Sequence, residues 1–355
     1  MKFAILYNTD YHAESHGTPD RYYGEILDQV CLAEELGFEA VWFGEHHYQG
    51  YSFGAPAVIA MAAAGRTQRI RLGTGVSLLP LHHPIRLAEE YATLDVLSGG
   101  RLEYGIGRGF LRYALDVFGI EESESHGRYH EAAEIILKAW TQKGPFSYEG
   151  EFWKLLDYEF FPAPLQRPHP PIYASAVLTP ESYVWTAQQG FHLATACFVP
   201  DKDAVRSGVA LYRKTLAESG IDPSQRDVAG VFQMYCGTSD AQAHATAGEA
   251  VIRYLRFFGS IDQRSPHRTQ AYEHHRGGSS DMYANVTSEM LSEQRLALIG
   301  EPETVVERIR WASDFYGVNY LLLEVGQGGL PHKEVVASLA RFAEHVMPHF
   351  ETAET

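Results

Sequence analysis

The sequence predicts an α/β protein: an eight-stranded parallel β/α (TIM) barrel with a hairpin insertion and a long lid-like loop. Three observations predict it. Eight short β-branched or aromatic runs alternate with amphipathic helical segments along the 355 residues. Most of these runs are uninterrupted rather than alternately apolar and polar, as strands buried on both faces are. Gly, His and Arg gather where the runs end, most densely in 73–109, GTGVSLLPLHHPIRLAEEYATLDVLSGGRLEYGIGRG. The C-terminal edge of a parallel barrel is where such folds place their chemistry.

The strands are read, in order, at Lys2–Tyr7, Ala40–Gly44, Ile70–Leu78, Arg101–Ile106, Pro171–Ala176, His192–Cys197, Asp227–Tyr235 and Asn319–Val325. Between the first two, Ile26, Val30 and Ala33 recur at helical spacing, and Gly37 follows as a stop. After Pro84 two stripes, Ile85/Ala88/Ala92 and Leu87/Tyr91/Leu94, give a helix with a broad buried face. Val305, Ile309, Ala312 and Tyr316 repeat the pattern, and Val335, Leu339, Phe342 and Val346 mark a final helix. Eight β-then-α units favour a closed barrel over an open doubly wound sheet, in one domain spanning 1–355.

Two stretches interrupt the alternation. Residues 144–170 are rich in aromatics and close with prolines, which reads as a β-hairpin and then an extended run. Residues 261–290 are polar, Gly/Ser-bearing and weakly periodic. A loop that long inside a barrel is either functional, as a mobile lid is, or disordered.

Composition narrows the function. Apolar residues make up 45% and charged residues 21%, as in a globular protein with a large core. The net charge of −16 leaves no basic face for nucleic acid. Cys31, Cys197 and Cys236 form no CxxC pair, which suits a reducing compartment. The apolar run Phe3–Tyr7 is too short for a signal peptide, and no run reaches membrane-spanning length. The expectation is a cytoplasmic protein that acts on a small molecule, with no membrane or nucleic-acid partner.

Four clusters could carry chemistry. Phe43-Gly44-Glu45-His46-His47 follows the second strand, where adjacent side chains point to opposite faces, so at most one histidine faces the mouth. That histidine is either a general base or proton donor tuned by the glutamate, or a hydrogen-bonded structural residue. Gly73-Thr74-Gly75-Val76-Ser77 ends the third strand, where glycines either admit a planar ring close to the backbone or simply pack. Gly105-Ile106-Gly107-Arg108-Gly109 lacks the following helix that a dinucleotide fingerprint needs, and its Arg108 is better suited to an anion. Thr179-Pro180-Glu181-Ser182 opens a helix, so it either caps that helix or holds a phosphate. Gly326-Gln327-Gly328-Gly329 is a competing phosphate loop. The 17 histidines include the pairs His46-His47, His82-His83 and His274-His275, yet no metal-ligand spacing, so no metal is expected. A serine-hydrolase GxSxG elbow is also missing.

Taken in order, EHH, GTGVSLLPLHHPIRLAEE, LDVLSGGRLEYGIGRG and PIYASAVLTPES make almost the whole chain resemble the bacterial luciferase-like, flavin-dependent monooxygenases. The resemblance implies FMN at the barrel mouth without a Rossmann domain, reduced by a separate NAD(P)H-dependent flavin reductase. Reduced FMN would meet dioxygen to give a flavin hydroperoxide that oxidises a small organic substrate. It implies His46 as catalytic, with Glu45 and His47 beside it. It places the flavin ring on the backbone of Thr74, Gly75 and Val76, where relatives have a non-proline cis peptide. Arg108, Thr179 and Ser182 would cradle the phosphate, in preference to 326–329, with Ala174 also at the cofactor.

Relatives dimerise through helices after the second and third strands, so a homodimer is implied; here APAVIAMAAAG (55–65) is apolar all round. Two other readings remain: a deazaflavin-dependent hydride-transfer oxidoreductase on the same barrel, and a flavin-binding protein without turnover. Two departures bear on light emission. Gly107 stands where light-emitting luciferases carry a reactive cysteine. The loop 261–290, at the place of their lid, has Arg264, Arg268, Arg276, His267, His274 and His275 but no lysine. Light emission is therefore not expected.

Overall fold

All eight predicted strands form, and they close on one another. In the computed structural model, which describes residues 1–47, 50, 53–109, 111–199, 201–262, 283 and 285–351, they are β1 (Lys2–Tyr7), β2 (Ala40–Phe43), β3 (Arg71–Thr74), β4 (Leu102–Gly107), β5 (Ile172–Ser175), β6 (His192–Ala196), β7 (Val228–Cys236) and β8 (Tyr320–Glu324). Each pairs in parallel with its sequence neighbour, and β8 returns to β1 to complete the ring. Helices surround it, as right-handed crossovers between parallel strands require.

The third strand differs from expectation. It is not continuous from Ile70 to Leu78: β3 stops at Thr74, and Ser77–Leu78 then pair with Ile106 and Gly107 of β4. Between the two pieces lies a cis peptide, Gly75–Val76. The Thr74 hydroxyl donates to the Gly105 carbonyl at 2.7 Å, bridging β3 to β4 where ladder pairing lapses. One further strand, Ala297–Gly300, went unpredicted; it pairs with the outer end of β7 rather than joining the ring. Four apolar residues between Arg295 and Gly300 are too few to show a period.

The hairpin forms as expected, with Phe146–Glu149 antiparallel to Lys154–Tyr158. Of the stretch 261–290, residues 263–282 and 284 lie outside the described residues, and with them all six of its cationic side chains named above. Helices Glu249–Asp262 and Ser288–Glu293 flank it. Among the described residues, no helix is long and apolar enough to cross a membrane.

The lumen is filled from below. Ala4, Leu6, Ala40, Trp42, Tyr173, Ala194, Ala229, Tyr320 and Leu322 form its apolar cluster. Trp42 takes the centre, and the next two strands make room for it: a Cβ on Gly73 would lie 2.3 Å from its Cδ1, and one on Gly105 3.0 Å from its Cζ3. Beneath the ring, Glu103 accepts hydrogen bonds from Trp42 Nε1 (2.8 Å), Tyr320 (3.0 Å) and Arg71 Nε (2.8 Å). Asp227 likewise accepts from Lys2 (2.9 Å) and Tyr173 (2.8 Å). Buried carboxylates satisfied this fully make a closed floor, which leaves the C-terminal mouth as the way in.

Candidate functional site

The mouth is built from the residues that follow consecutive strands. After β1 comes Asn8, after β2 the run Gly44 to His47, after β3 Gly75-Val76, and after β4 Arg108. Asn8 Oδ1 accepts a hydrogen bond from His46 Nε2 at 2.8 Å. An amide oxygen can only accept, so the imidazole lone pair sits on Nδ1. Gly44 makes this contact possible, because a Cβ there would lie on Asn8 Oδ1 and 3.3 Å from the Gly75 carbonyl. Burial pushes His46 down to about 4, the Glu45 charge opposing and His47 assisting, so the ring is neutral at physiological pH.

Glu45 and His47 form a neighbouring cluster. Glu45 is 2% exposed, and its Oε1 meets His47 Nε2 at 2.8 Å and His82 Nε2 at 2.5 Å, while Oε2 accepts the Leu78 amide at 2.9 Å. Burial pushes this carboxyl up, but the two histidines and the amide outweigh it and hold it at about 2. Burial lowers His82, while the Glu45 hydrogen bond and charge raise it to a net upward shift. Glu45, His47 and His82 also form the one group of three donor atoms, all within 4.8 Å, able to hold a metal among the described residues. The sequence reading counted spacings and missed this set, which is assembled from two loops. The Nε2 atom of each imidazole is already engaged with the carboxylate.

Val76 lies over the last residue of β4. A Cβ on Gly107 would fall 2.4 Å from Val76 Cγ2, so the missing side chain at 107 is matched by the valine. Val76 also packs against Leu78, Leu81, Ala114 and Leu115. Arg108 Nη1 reaches Ser125 Oγ at 3.3 Å. A cleft joins these parts, lined by His46, His47, Leu78, Leu81, Arg108, Gly109 and Tyr113 among others. A larger groove of about 950 Å³ lies elsewhere, between helices Pro302–Tyr316 and His332–His345, and touches none of these residues.

The other predicted residues divide. Thr179 occupies the N-cap of helix Pro180–Gln188 but makes no capping hydrogen bond with its side chain; only its carbonyl accepts the Ser182 amide, at 3.1 Å. The Thr179 side chain thus takes no first-turn amide, and the Ser182 amide goes to the Thr179 carbonyl. Ala174 corrects the expectation for its side chain. Tyr173 points into the lumen, so Ala174 points the other way and packs in the core between strands and helices. The competing loop 326–329 is already filled: Asp10 accepts the Gly328 amide at 2.6 Å, and a Cβ on Gly328 would strike Ala250.

Sequence reasoning missed Asn8, His82 and a buried carboxyl on the strand beside β1. Glu324, 1% exposed at the end of β8, accepts from Tyr254 and Gln233 at 2.8 Å each. Burial pushes it up to about 7 against those hydrogen bonds, so it can hold or release a proton near neutrality. Its only sequence signal was its place at the end of an apolar strand.

The luciferase-like monooxygenase family model matches residues 1–316. The chain belongs to this family. Among the relatives of this luciferase-like protein is the oxygenase component of a flavin-dependent trigonelline monooxygenase from Acinetobacter baylyi, 25% identical over 367 aligned positions that cover 100% of this chain and 97% of that one. The crystal structure of monooxygenase RslO1 from Streptomyces bottropensis superposes with a TM-score of 0.85 at 28% identity, covering 99% of this chain and 100% of that one. The oxygenating constituent of 3,6-diketocamphane monooxygenase from Pseudomonas putida, solved with FMN, gives 0.80 at 22% identity and 98% of each chain, a likeness of fold. The named relatives are monooxygenases, one named as flavin-dependent and one solved with FMN, and this chain is an oxidoreductase of the same family.

Proposed function

We propose that this chain is the oxygenase of a two-component, FMN-dependent monooxygenase, taking reduced FMN from a separate NAD(P)H-dependent reductase to oxidise a small organic substrate with dioxygen. One observation carries it. A neutral histidine and an arginine line one cleft from the ends of β2 and β4, on either side of the end of β3 and above a sealed lumen. The residues fit the cofactor. Gly44 and Gly75 draw the ends of β2 and β3 close against Asn8, Leu6 and Trp42, which leaves backbone rather than side chain at that point of the mouth, and Arg108 with the helix start at Thr179 and Ser182 suits a phosphate monoester. Reduced FMN, when bound, would supply the two electrons that let one oxygen atom enter the substrate and the other leave as water.

In this reading His46 accepts or returns a proton through Nδ1 while Asn8 fixes the ring. Its low basicity keeps it a neutral acceptor throughout the working pH range. Glu45 and His47 position the loop that carries His46, since Glu45 commits both oxygens to His47, His82 and Leu78. Thr74, Gly75 and Val76 support the ring through their backbone, and Ala174 contributes backbone only. A homodimer fits the exposed apolar side chains Val58 (70%) and Leu97 (66%), on adjacent helices after β2 and β3. Three cysteines without disulfides fit the cytoplasm.

The test is oxygen uptake driven by a reductase, NADH and FMN, with grouped aldehydes, ketones, sulfonates and amines as substrates. Product is expected in one group, and His46→Ala is expected to keep FMN affinity while losing product formation by roughly 10²–10⁴-fold. Equal product from that variant would remove His46 from the mechanism. Substrate oxidation without oxygen would favour deazaflavin hydride transfer instead.

A further inference from the structure

The turn after Ser77–Leu78 carries His82 to the loop that follows β2, and the two meet at Glu45. Glu45 commits its Oε2 to the Leu78 amide at 2.9 Å. Its Oε1 then faces two imidazoles, with His47 Nε2 at 2.8 Å and His82 Nε2 at 2.5 Å. One carboxylate oxygen and two ring nitrogens thus gather as three donor atoms, all within 4.8 Å of one another. The carboxylate side chain is 1% exposed, but those of His47 and His82 are 15% and 27% exposed, so the set is anchored inside and reached from solvent. Phe118 packs edge-on against both rings, with centroids 4.6 Å and 5.9 Å away, and walls the set with an apolar face.

Two imidazoles and one carboxylate are the donor set of open zinc sites, whose fourth position is left to water. A carboxylate that binds a metal through one oxygen has the other held by an outer-shell hydrogen bond, and the Leu78 amide already supplies it. The rings can also present lone pairs. Among the described residues neither Nδ1 has a hydrogen-bond partner, so each neutral ring can move its N–H from Nε2 to Nδ1 without gaining or losing a proton. Zinc bonds of about 2.0–2.1 Å set tetrahedral donors about 3.3 Å apart, so the two contacts must widen by about 0.5 and 0.8 Å. His82 lies in a two-residue link between the short turn Leu79–Leu81 and helix Pro84–Leu97, and this ring has the shorter distance to give up. The other close pair of histidines, His126 and His130 with Nε2 atoms 3.2 Å apart, offers two donors rather than three.

We propose that Glu45, His47 and His82 form a binding site for a divalent transition-metal ion, zinc above all, which ties the loop after β2 to the turn after Ser77–Leu78. The site does not depend on the FMN reading, and no reaction step runs through the ion. Imidazole nitrogen favours zinc over magnesium or calcium, which prefer oxygen donors. Glu45 and His47 flank His46 in the chain, so an ion held by both fixes the loop that carries His46. Zinc at this point therefore acts on the mouth from beside it, as a brace that a change in metal supply can add or remove.

The experiment titrates zinc into the metal-free full chain by calorimetry, and repeats the titration with cobalt as a spectroscopic stand-in. The unmodified chain is expected to bind zinc at this site with micromolar or tighter affinity, to show the visible absorption of four-coordinate cobalt, and to melt at a higher temperature as zinc is added. His82→Gln is expected to weaken zinc binding by roughly 100-fold or more, since loss of an outer-shell partner alone costs about 10–100-fold. Circular dichroism checks that this variant folds, and His47→Gln is expected to give the same loss by removing a different donor. His126→Gln, which dismantles the helix pair, is expected to leave both the cobalt spectrum and the zinc affinity as they were. Zinc binding that survives His82→Gln and His47→Gln would overturn the site, as would a cobalt spectrum like that of the hydrated six-coordinate ion. Binding lost in His126→Gln would place the ion on the helix pair and overturn it equally.

Discussion

Asn8 Oδ1 lies 2.8 Å from His46 Nε2, and the position of Gly44 is what allows it. Three residues from the ends of two neighbouring strands thereby set one imidazole. Asn8→Leu is expected to lower kcat by roughly tenfold or more while leaving FMN affinity intact, because the ring loses its tether and not its pocket. Gly44→Ala is expected to do the same through displacement of the flexible Asn8 tip, with circular dichroism unchanged. Steady-state kinetics of both variants check this, and an unaltered kcat in Gly44→Ala would show that the contact is not needed.

Val76 and Gly107 are expected to behave as a coupled pair. Gly107→Cys puts a side chain where Val76 Cγ2 already lies, so the Gly75–Val76 segment must shift. FMN affinity is expected to fall about tenfold, and Val76→Ala in the same chain to restore most of it, a coupling of about 1 kcal/mol. Fluorescence titration of the four members of this cycle is the check. Additive effects would mean that the two sites do not communicate.

Glu45 gives a pH-dependent stability. Its carboxyl is held near 2 in the fold against an ordinary 4.5, so its contribution is present above 4.5 and lost as pH falls. His82 is raised from 6.5, so its contribution is present below 6.5 and lost as pH rises through its folded value. Both contribute fully only between about 4.5 and 6.5. Glu45→Gln is expected to cost about 3 kcal/mol there and less at higher pH, read by denaturant unfolding across the range.

Glu324 predicts the opposite sign. Burial raises it from 4.5 to about 7, so ionising it weakens the fold as pH climbs through that interval. Glu324→Gln, always neutral, is expected to match the unmodified protein near pH 4.5 and to gain stability relative to it by pH 8. The gain should be on the order of 3 kcal/mol. Unfolding curves that stay parallel at both pH values would contradict the raised carboxyl.

Most of the barrel was legible because each strand is buried on both faces and reads as a plain apolar run. The Gly75–Val76 break was invisible to that rule, since Ile70–Leu78 looks like one strand; only the family resemblance pointed there. His46, Gly75 and Arg108 drew attention because His, Gly and Arg are unusual at strand ends, and the fold carries all three to the ends of β2, β3 and β4. Asn8 and Glu324 stand at equivalent ends of β1 and β8, but as single polar residues closing apolar runs they look like ordinary strand termini. His82 joins Glu45 only through the turn after Ser77–Leu78, a contact that spacing cannot reveal. Ala174 was assigned to the cofactor from the resemblance, and period-two alternation from Tyr173 turns its methyl away.

The central claim is that this mouth brings dioxygen to a substrate by way of FMN. It is tested most directly by supplying reductase, NADH, FMN and ¹⁸O₂ with the grouped aldehydes, ketones, sulfonates and amines, and weighing the products by mass spectrometry. The account predicts one ¹⁸O atom in the product of one substrate group, abolished in His46→Ala and in Arg108→Ala. FMN consumption of oxygen with no labelled product from any group, or a labelled product that survives both substitutions, would contradict it.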